Sequence, residues 1–241
     1  MILVTTNGYS TLEFLSDIEL FFSDELSDKK IILKDDDFIH CTRVFRYKAG
    51  DKVFVTDGKG KIYHCEISSI HKNELEALIL SYTEQEIKYP NFHFCIPILK
   101  NKDRFRFAFE KLIELGITNI IIYKADRAVS EKFNVDKYKK IAVETIKQSL
   151  QANLPVIKSI GTITELNSYE GNKIIFEQNA EIKFDKNIID ESDINYFIFG
   201  PEGGLTEREI KSLRNHKKYS LAENRLRTET AIIKAASVLT L

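Results

Sequence analysis

The sequence predicts an α/β protein: a small β-barrel over residues 1–82, then a larger domain over residues 90–241 built on a parallel sheet. Three observations lead there. Short alternating runs joined by tight turns fill the N-terminal part, as in small barrels. From Asn91 onward, apolar runs alternate with amphipathic helical stretches, the rhythm of a sheet crossed by helices. Near the C-terminus, the apolar run Tyr196–Phe199 and the segment Lys218–Leu221 each end in a loop that enters a helix, an arrangement that brings bare backbone N–H groups to a ligand.

In the first domain, Asp37 is placed to cap a short helix whose apolar positions Phe38, Cys41, Val44 and Phe45 recur at helical spacing. Lys48–Asp51 reads as a turn and Lys52–Thr56 as a strand. Asp57-Gly58-Lys59-Gly60 is a hairpin signal leading into Lys61–Ile70, where Ile62, His64 and Glu66 alternate with Tyr63, Cys65 and Ile67. Leu75–Leu80 is a further strand, and the polar stretch Tyr82–Tyr89 ahead of Pro90 reads as the linker. In the second domain Phe92–Leu99 is a strand, and Asp103 starts a helix that lines up Phe105, Phe109, Leu112 and Ile113 before Gly116. Ile120–Tyr123 is a β-branched run of the kind a parallel sheet buries on both faces. A long helix is expected from Val135 to Asn153, ahead of Pro155. Ile174–Phe176, Tyr196–Phe199 and Lys218–Leu221 supply strands, and the last helix presents Ile232, Ala235, Ala236 and Leu239 on one stripe.

At 43% hydrophobic and 29% charged, the 241 residues can bury a large core and leave no long disordered stretch. Cys41, Cys65 and Cys95 are widely spaced, without CxxC or Cys/His clusters, so they read as buried reduced thiols and no metal is expected. Met1–Asn7 lacks a basic leader, and no apolar run reaches membrane-span length, so a cytoplasmic protein without a membrane partner is expected. Residues 1–89 carry 11 Lys and Arg against 16 Asp and Glu, while residues 90–241 carry 24 against 20. A nucleic-acid surface must therefore be made of local patches.

Phe199-Gly200-Pro201-Glu202-Gly203-Gly204 enters its helix through Thr206-Glu207-Arg208-Glu209, whose hydroxyl and carboxylate have capping-box spacing. The turn at Gly203 is expected to need a positive φ or close backbone approach to a ligand. Leu226-Arg227-Thr228-Glu229-Thr230-Ala231 repeats the plan. Neither segment is a P-loop or a dinucleotide fingerprint, and together they argue for one pocket with a nucleotide-like ligand.

Other segments join them. His40-Cys41-Thr42-Arg43-Val44-Phe45-Arg46 is followed by Gly50-Asp51 and Asp57-Gly58-Lys59-Gly60. Lys100 with Asp103-Arg104-Phe105 precedes Glu110-Lys111-Leu112-Ile113-Glu114-Leu115-Gly116; Asp126-Arg127-Ala128-Val129 and Glu144 with Gln148-Ser149 come after. In this order the set resembles the RsmE family of SPOUT-class methyltransferases, which methylate N3 of a uridine in small-subunit (16S) ribosomal RNA, over nearly the whole chain. The resemblance implies S-adenosyl-L-methionine as donor, a C-terminal sheet closed by a trefoil knot, a PUA-like RNA-binding barrel and a homodimer. It implies donor contacts from Phe176 and Glu177, from Phe199, Gly200, Pro201, Glu202, Gly203 and Gly204, and from Leu221, Ala222, Asn224, Leu226 and Thr228. RNA contacts are implied at Arg43, Arg46, Lys100, Arg104 and Arg127, with Arg43 and Arg46 three apart on one helical face. Gln151 and Asn224 stand where the family pattern carries arginine, and Arg225 is placed to replace the second charge. Ala222 replaces a glycine, which requires a negative φ there.

Methylating N3 requires removing its proton and stabilising the charge left on O2 or O4. Glu202 and Glu229 are candidates for the proton and Arg227 for the charge. Each has a structural alternative: the carboxylates can favour helix N-termini, and Arg227 can pair with either of them. Two other readings stay open, a SPOUT enzyme with another RNA target and an RNA-binding or ribosome-assembly factor without catalysis.

Overall fold

In the computed structural model, which describes residues 18–128 and 133–241, two sheets organise the chain. Val129 of the fourth motif and the Met1–Asn7 stretch lie outside the described residues. The chain divides into one unit of Met1–Ile87 with Val143–Leu154 and a second of Lys88–Ala142 with Pro155–Leu241.

The first unit holds β1 (Leu20–Phe22), β2 (Lys30–Lys34), β3 (Lys52–Thr56), β4 (Lys61–Ile70) and β5 (Glu74–Glu84), in the order β1-β3-β4-β5-β2. Only the β1–β3 pair is parallel. Alternate residues Ile31 and Leu33, Val53 and Val55, Cys65 and Ile67, and Leu75 and Ala77 make its core, as the period of two in a half-buried strand requires. β5 runs four residues past the expected Leu80 because β4 continues beside it, pairing Lys61 with Glu84, so part of the expected linker is strand. Asp37 caps nothing. Helix α1 (Asp35–Ile39) starts from Lys34 and passes directly into a π-helical turn, His40–Val44. That wider turn shifts the later positions off the core face: Phe38 and Cys41 are buried, whereas Val44 is 60% and Phe45 38% exposed.

Helix α3 (Val135–Gln148) ends before the expected Asn153, at a left-handed Leu150 with φ +54°. The extended residues after it belong to the first unit, which differs from the single domain expected over 90–241. Gly60 N–H donates to the Ala152 carbonyl and Leu154 N–H to the Gly58 carbonyl, both at 2.8 Å. The Gln85 amide accepts from Ala152 N–H at 2.6 Å and donates to the Leu150 carbonyl at 3.0 Å. Gly58 (φ +72°) lies so close to Leu154 that a Cβ would fall 2.5 Å from its Cδ1. These bonds join residues far apart in sequence and leave no periodic trace.

The second unit carries β6 (Phe92–Pro97), α2 (Lys102–Glu114), β7 (Asn119–Tyr123), β8 (Val156–Ile160), β9 (Asn172–Phe176), β10 (Asn195–Phe199), α4 (Glu207–Ser212), β11 (His216–Tyr219) and α5 (Thr228–Leu239). All six strands are parallel, in the order β11-β9-β10-β6-β7-β8. The edge strand β8 is half exposed and lacks the apolar run by which β6, β7, β9 and β10 were recognised. Asn101, not Asp103, caps α2, accepting from Arg104 N–H at 3.0 Å. The two faces of the sheet differ. Phe94, Phe197, Phe199 and Phe176 interlock on one, with ring centroids 5.1 to 6.2 Å apart. Cys95, Ile121, Tyr123, Ile175 and Ile198 pack on the other with Ile163, Leu166 and Leu213. Helix α5 contacts α2 and β10 and buries the expected stripe Ile232, Ala235, Ala236 and Leu239. The three cysteines are buried free thiols, and burial pushes those of Cys41 and Cys65 up to about 12.

Gln85→Ala is expected to cost about 2–3 kcal/mol, because it leaves Ala152 N–H and the Leu150 carbonyl without their partner. Urea unfolding followed by circular dichroism measures it. An unchanged midpoint would mean that other contacts hold the 143–154 segment.

Candidate functional site

Strands β9, β10 and β11 end side by side, and ligands of open α/β sheets bind outside such carboxyl ends. A cleft of about 920 Å³ lies there, a size suited to a nucleoside-like ligand. Its wall contains Phe176 and Glu177 after β9, and Phe199, Gly200, Pro201, Glu202, Gly203 and Gly204 after β10. Leu221, Ala222, Asn224, Leu226 and Thr228 line it after β11, so every residue expected to contact the donor lies on one cleft. Arg104, Arg127, Arg225 and Arg227 line it as well. Gln178, Asn179 and Ala231 also line it and were not expected. The first two simply continue the strand exit at Glu177, and Ala231 lies one helical turn beyond Arg227.

The β10 loop is fixed from both sides. The buried Tyr123 hydroxyl donates to the Phe199 carbonyl, and burial raises its pKa well above the usual tyrosine range, so it remains a donor. The Thr228 hydroxyl donates to the next carbonyl, that of Gly200, at 3.1 Å. Gly204 N–H closes the turn on the Pro201 carbonyl at 2.8 Å. The positive φ, +70°, belongs to Gly204 and not to Gly203. Gly200 is required for another reason: a Cβ there would sit 2.9 Å from the Leu205 backbone nitrogen. A Cβ at Gly203 would meet only the flexible Arg127 side chain, at 3.2 Å. Ala222 has the negative φ that its replacement of glycine requires.

The capping box forms as expected: Thr206 Oγ1 accepts from Glu209 N–H and the Glu209 carboxylate accepts from Thr206 N–H. Glu209 does more than cap. Its second oxygen accepts from Asp126 N–H at 2.8 Å, and the Asp126 carboxylate accepts from Arg208 Nη2 at 2.7 Å and from the Thr206 hydroxyl at 2.9 Å. The loop after β7 is thereby pinned to the start of α4, and Arg127 donates from Nη1 to the Gly203 carbonyl. The Arg208 hydrogen bond first, then that from Thr206, holds the Asp126 carboxyl below the usual carboxylate range.

The three candidate catalytic residues are placed differently. Arg227 and Glu202 are exposed on the cleft wall, and neither forms an ion pair among the described residues. Glu229 is buried, is absent from the lining, and has Oε1 3.6 Å from Arg104 Nε. The alternative in which Arg227 pairs with a carboxylate is therefore not what forms; Arg104 takes that place. Of the other basic residues, Lys100 is exposed but does not line the cleft. Arg43 and Arg46 are exposed in the first unit, but Arg46 lies past the π turn with φ +60°, so the two do not share a helical face. Among the described residues, no helix is long and apolar enough to cross a membrane.

A family model described as an RNA methyltransferase domain matches residues 86–240, and one described as an RNA methyltransferase PUA domain matches residues 33–80. The chain is 28% identical over 218 residues to a ribosomal RNA small subunit methyltransferase E from Rickettsia conorii, covering 86% of this chain and 88% of that protein. A protein of the same name from Bacillus subtilis is 26% identical over 218 residues, covering 83% and 85%. The crystal structure of a ribosomal RNA small subunit methyltransferase E from Neisseria gonorrhoeae, bound to S-adenosyl methionine, aligns with a TM-score of 0.81 at 28% identity, covering 92% of this chain and 96% of that one.

Gly204→Ala is expected to cost about 1–2 kcal/mol for a left-handed alanine in open space. Gly200→Ala should cost more, because its methyl group meets backbone that the Tyr123 and Thr228 hydroxyls hold in place. Thermal unfolding of the two variants gives the order, and the reverse order would mean that the loop is free to shift.

Proposed function

We propose, from the premise that this chain belongs to the RsmE family of RNA methyltransferases, that it methylates N3 of a uridine in small-subunit ribosomal RNA with S-adenosylmethionine as donor. The observation that carries the reading is the cleft itself. Loops leave β10 and β11 on either side of the β9 exit, the β10 loop held by the Tyr123 and Thr228 hydroxyls, and between them lie apolar walls from Phe176, Phe199 and Leu226. Backbone amides there suit an adenosine, Asn224 suits its polar edges, and the Glu177 carboxylate suits the ammonium group of the zwitterionic methionine tail. The donor supplies a methyl carbon made electrophilic by its sulfonium.

The chain's own residues have two tasks. Glu202, exposed at the cleft wall, accepts the N3 proton. Arg227 offers its fork to the oxygen that takes up the resulting charge, where a positioned cation is worth most as the charge develops. Neither task requires a metal. The Asn224 departure from the family pattern lies in the same wall as Arg225, which supports Arg225 as the replacement charge. Gln151 lies in the segment packed with the first unit, so that departure bears on the barrel.

The second unit is read as a SPOUT-type fold whose C-terminal loops form a trefoil knot; the strand order β11-β9-β10-β6, with loops after β10 and β11 meeting at one cleft, supports this. The first unit is read as the PUA-like RNA-binding module, the assembly as a homodimer and the location as cytoplasmic. Mass mapping of methylated uridines in ribosomal RNA from cells lacking the protein tests the function. Loss of one 3-methyluridine from the small-subunit RNA is expected, and a complete set of methyluridines would overturn the proposal.

Arg227→Ala is expected to reduce single-turnover methyl transfer at least about a hundredfold, with donor affinity nearly unchanged, since the interaction strengthens only toward the transition state. Rapid-quench kinetics and calorimetric titration of the donor separate the two quantities. A parent-like rate would remove Arg227 from the mechanism.

A further inference from the structure

Glu229 is the anomaly of the second unit. It is 8% exposed, its Oε2 is buried with no hydrogen-bond partner, and its Oε1 is 3.6 Å from Arg104 Nε. A buried carboxylate is expensive to keep, and an apolar side chain of similar volume packs as well or better. Glu229 is buried behind Thr228 and does not line the cleft. Arg104 does line the cleft.

We propose that Glu229 is a positioning residue for RNA: its buried carboxylate holds Arg104 by the Nε edge and leaves the terminal Nη pair to grip a phosphodiester beside the target nucleotide. This rests on the methyltransferase reading and deepens it. Three features of the structure support the assignment. Arg104 projects from the first turn of α2 and Glu229 from the first turn of α5, and the two helices pack together. Glu229 follows Thr228, whose hydroxyl holds the Gly200 carbonyl, so the backbone that carries the carboxylate is tied to the cleft wall. A guanidinium held on one edge is pre-oriented for bidentate binding of an oxyanion by the other.

Glu229→Gln provides a test in which the competing expectation has the opposite sign. Removing a negative charge near an RNA site should tighten RNA binding by simple electrostatics. If Glu229 orients Arg104, the same change weakens binding. With small ribosomal subunits from cells lacking the protein as substrate, Glu229→Gln should raise KM about tenfold, with kcat within about twofold and donor affinity unchanged. Arg104→Ala should raise KM at least as much and lower the salt slope by about one. The double variant should be no worse than Arg104→Ala alone. An unchanged or lowered KM for Glu229→Gln would overturn the proposal, as would the full Glu229→Gln effect persisting without Arg104. A loss confined to kcat, together with loss of the acid limb of the pH profile, would overturn it in favour of Glu229 as the base. If Glu229→Gln does not fold, Arg104→Ala decides: parent KM and salt slope remove Arg104 from the RNA surface. Inactivity of the parent on these subunits would overturn the function itself, a separate outcome.

Discussion

Two carbonyl groups hold the cleft in shape. The oxygens of Phe199 and Gly200 are where β10 stops pairing with its neighbours, and each receives a hydroxyl from a different part of the chain, Tyr123 at the end of β7 and Thr228 at the start of α5. A strand end left without partners would turn to water or fray. Held this way, the peptides of residues 199–204 keep one orientation, and the groups they present to a ligand are fixed before it arrives. Each bond contributes only about 1 kcal/mol to stability. Their larger effect is to reduce the ordering cost of binding.

The second support is Glu209. A capping box commonly uses one carboxylate to finish one helix; here the same carboxylate also receives Asp126 N–H. Its burial, at 5% exposure, is tolerable because both oxygens are bonded. The exposed Asp126 carboxylate then ties Arg208 and Thr206 to the same loop. Because its folded pKa is depressed, the stability it contributes is present above the unfolded aspartate value, near ~3.9. That contribution is lost only as pH falls through the lower folded value. The tie therefore holds throughout the neutral range, and the Arg127 guanidinium stays over the Gly203 carbonyl.

The sequence is most legible where local chemistry decides the structure. The buried strands β7, β9 and β10 stand out as β-branched and aromatic runs, and the Thr206–Glu209 box is read from four residues. The residues that the resemblance assigned to the donor line one cleft because the chain leaves three neighbouring strand ends, β9, β10 and β11, on the same side. What was not legible depends on distant partners. β1 is three residues long and exists because β3 lies beside it in parallel, and β8 is a half-exposed edge. The crossing of residues 143–154 into the first unit is made by backbone bonds to Gly58, Gly60 and Gln85. The burial of Glu229 was hidden for a similar reason: its position beside Arg227 and Thr228 suggests the cleft, whereas its carboxylate lies against Arg104 of α2.

The arginines of the cleft divide by how they are held. Arg127 is bound to the Gly203 carbonyl and Arg104 lies against Glu229. Arg225 and Arg227 form no ion pair among the described residues. A tethered guanidinium has already lost much of its rotamer entropy, so it suits contacts made equally in the ground and transition states, such as a phosphodiester of bound RNA. An untethered one gains less from a static anion, because binding must order it, but it can follow charge as it builds.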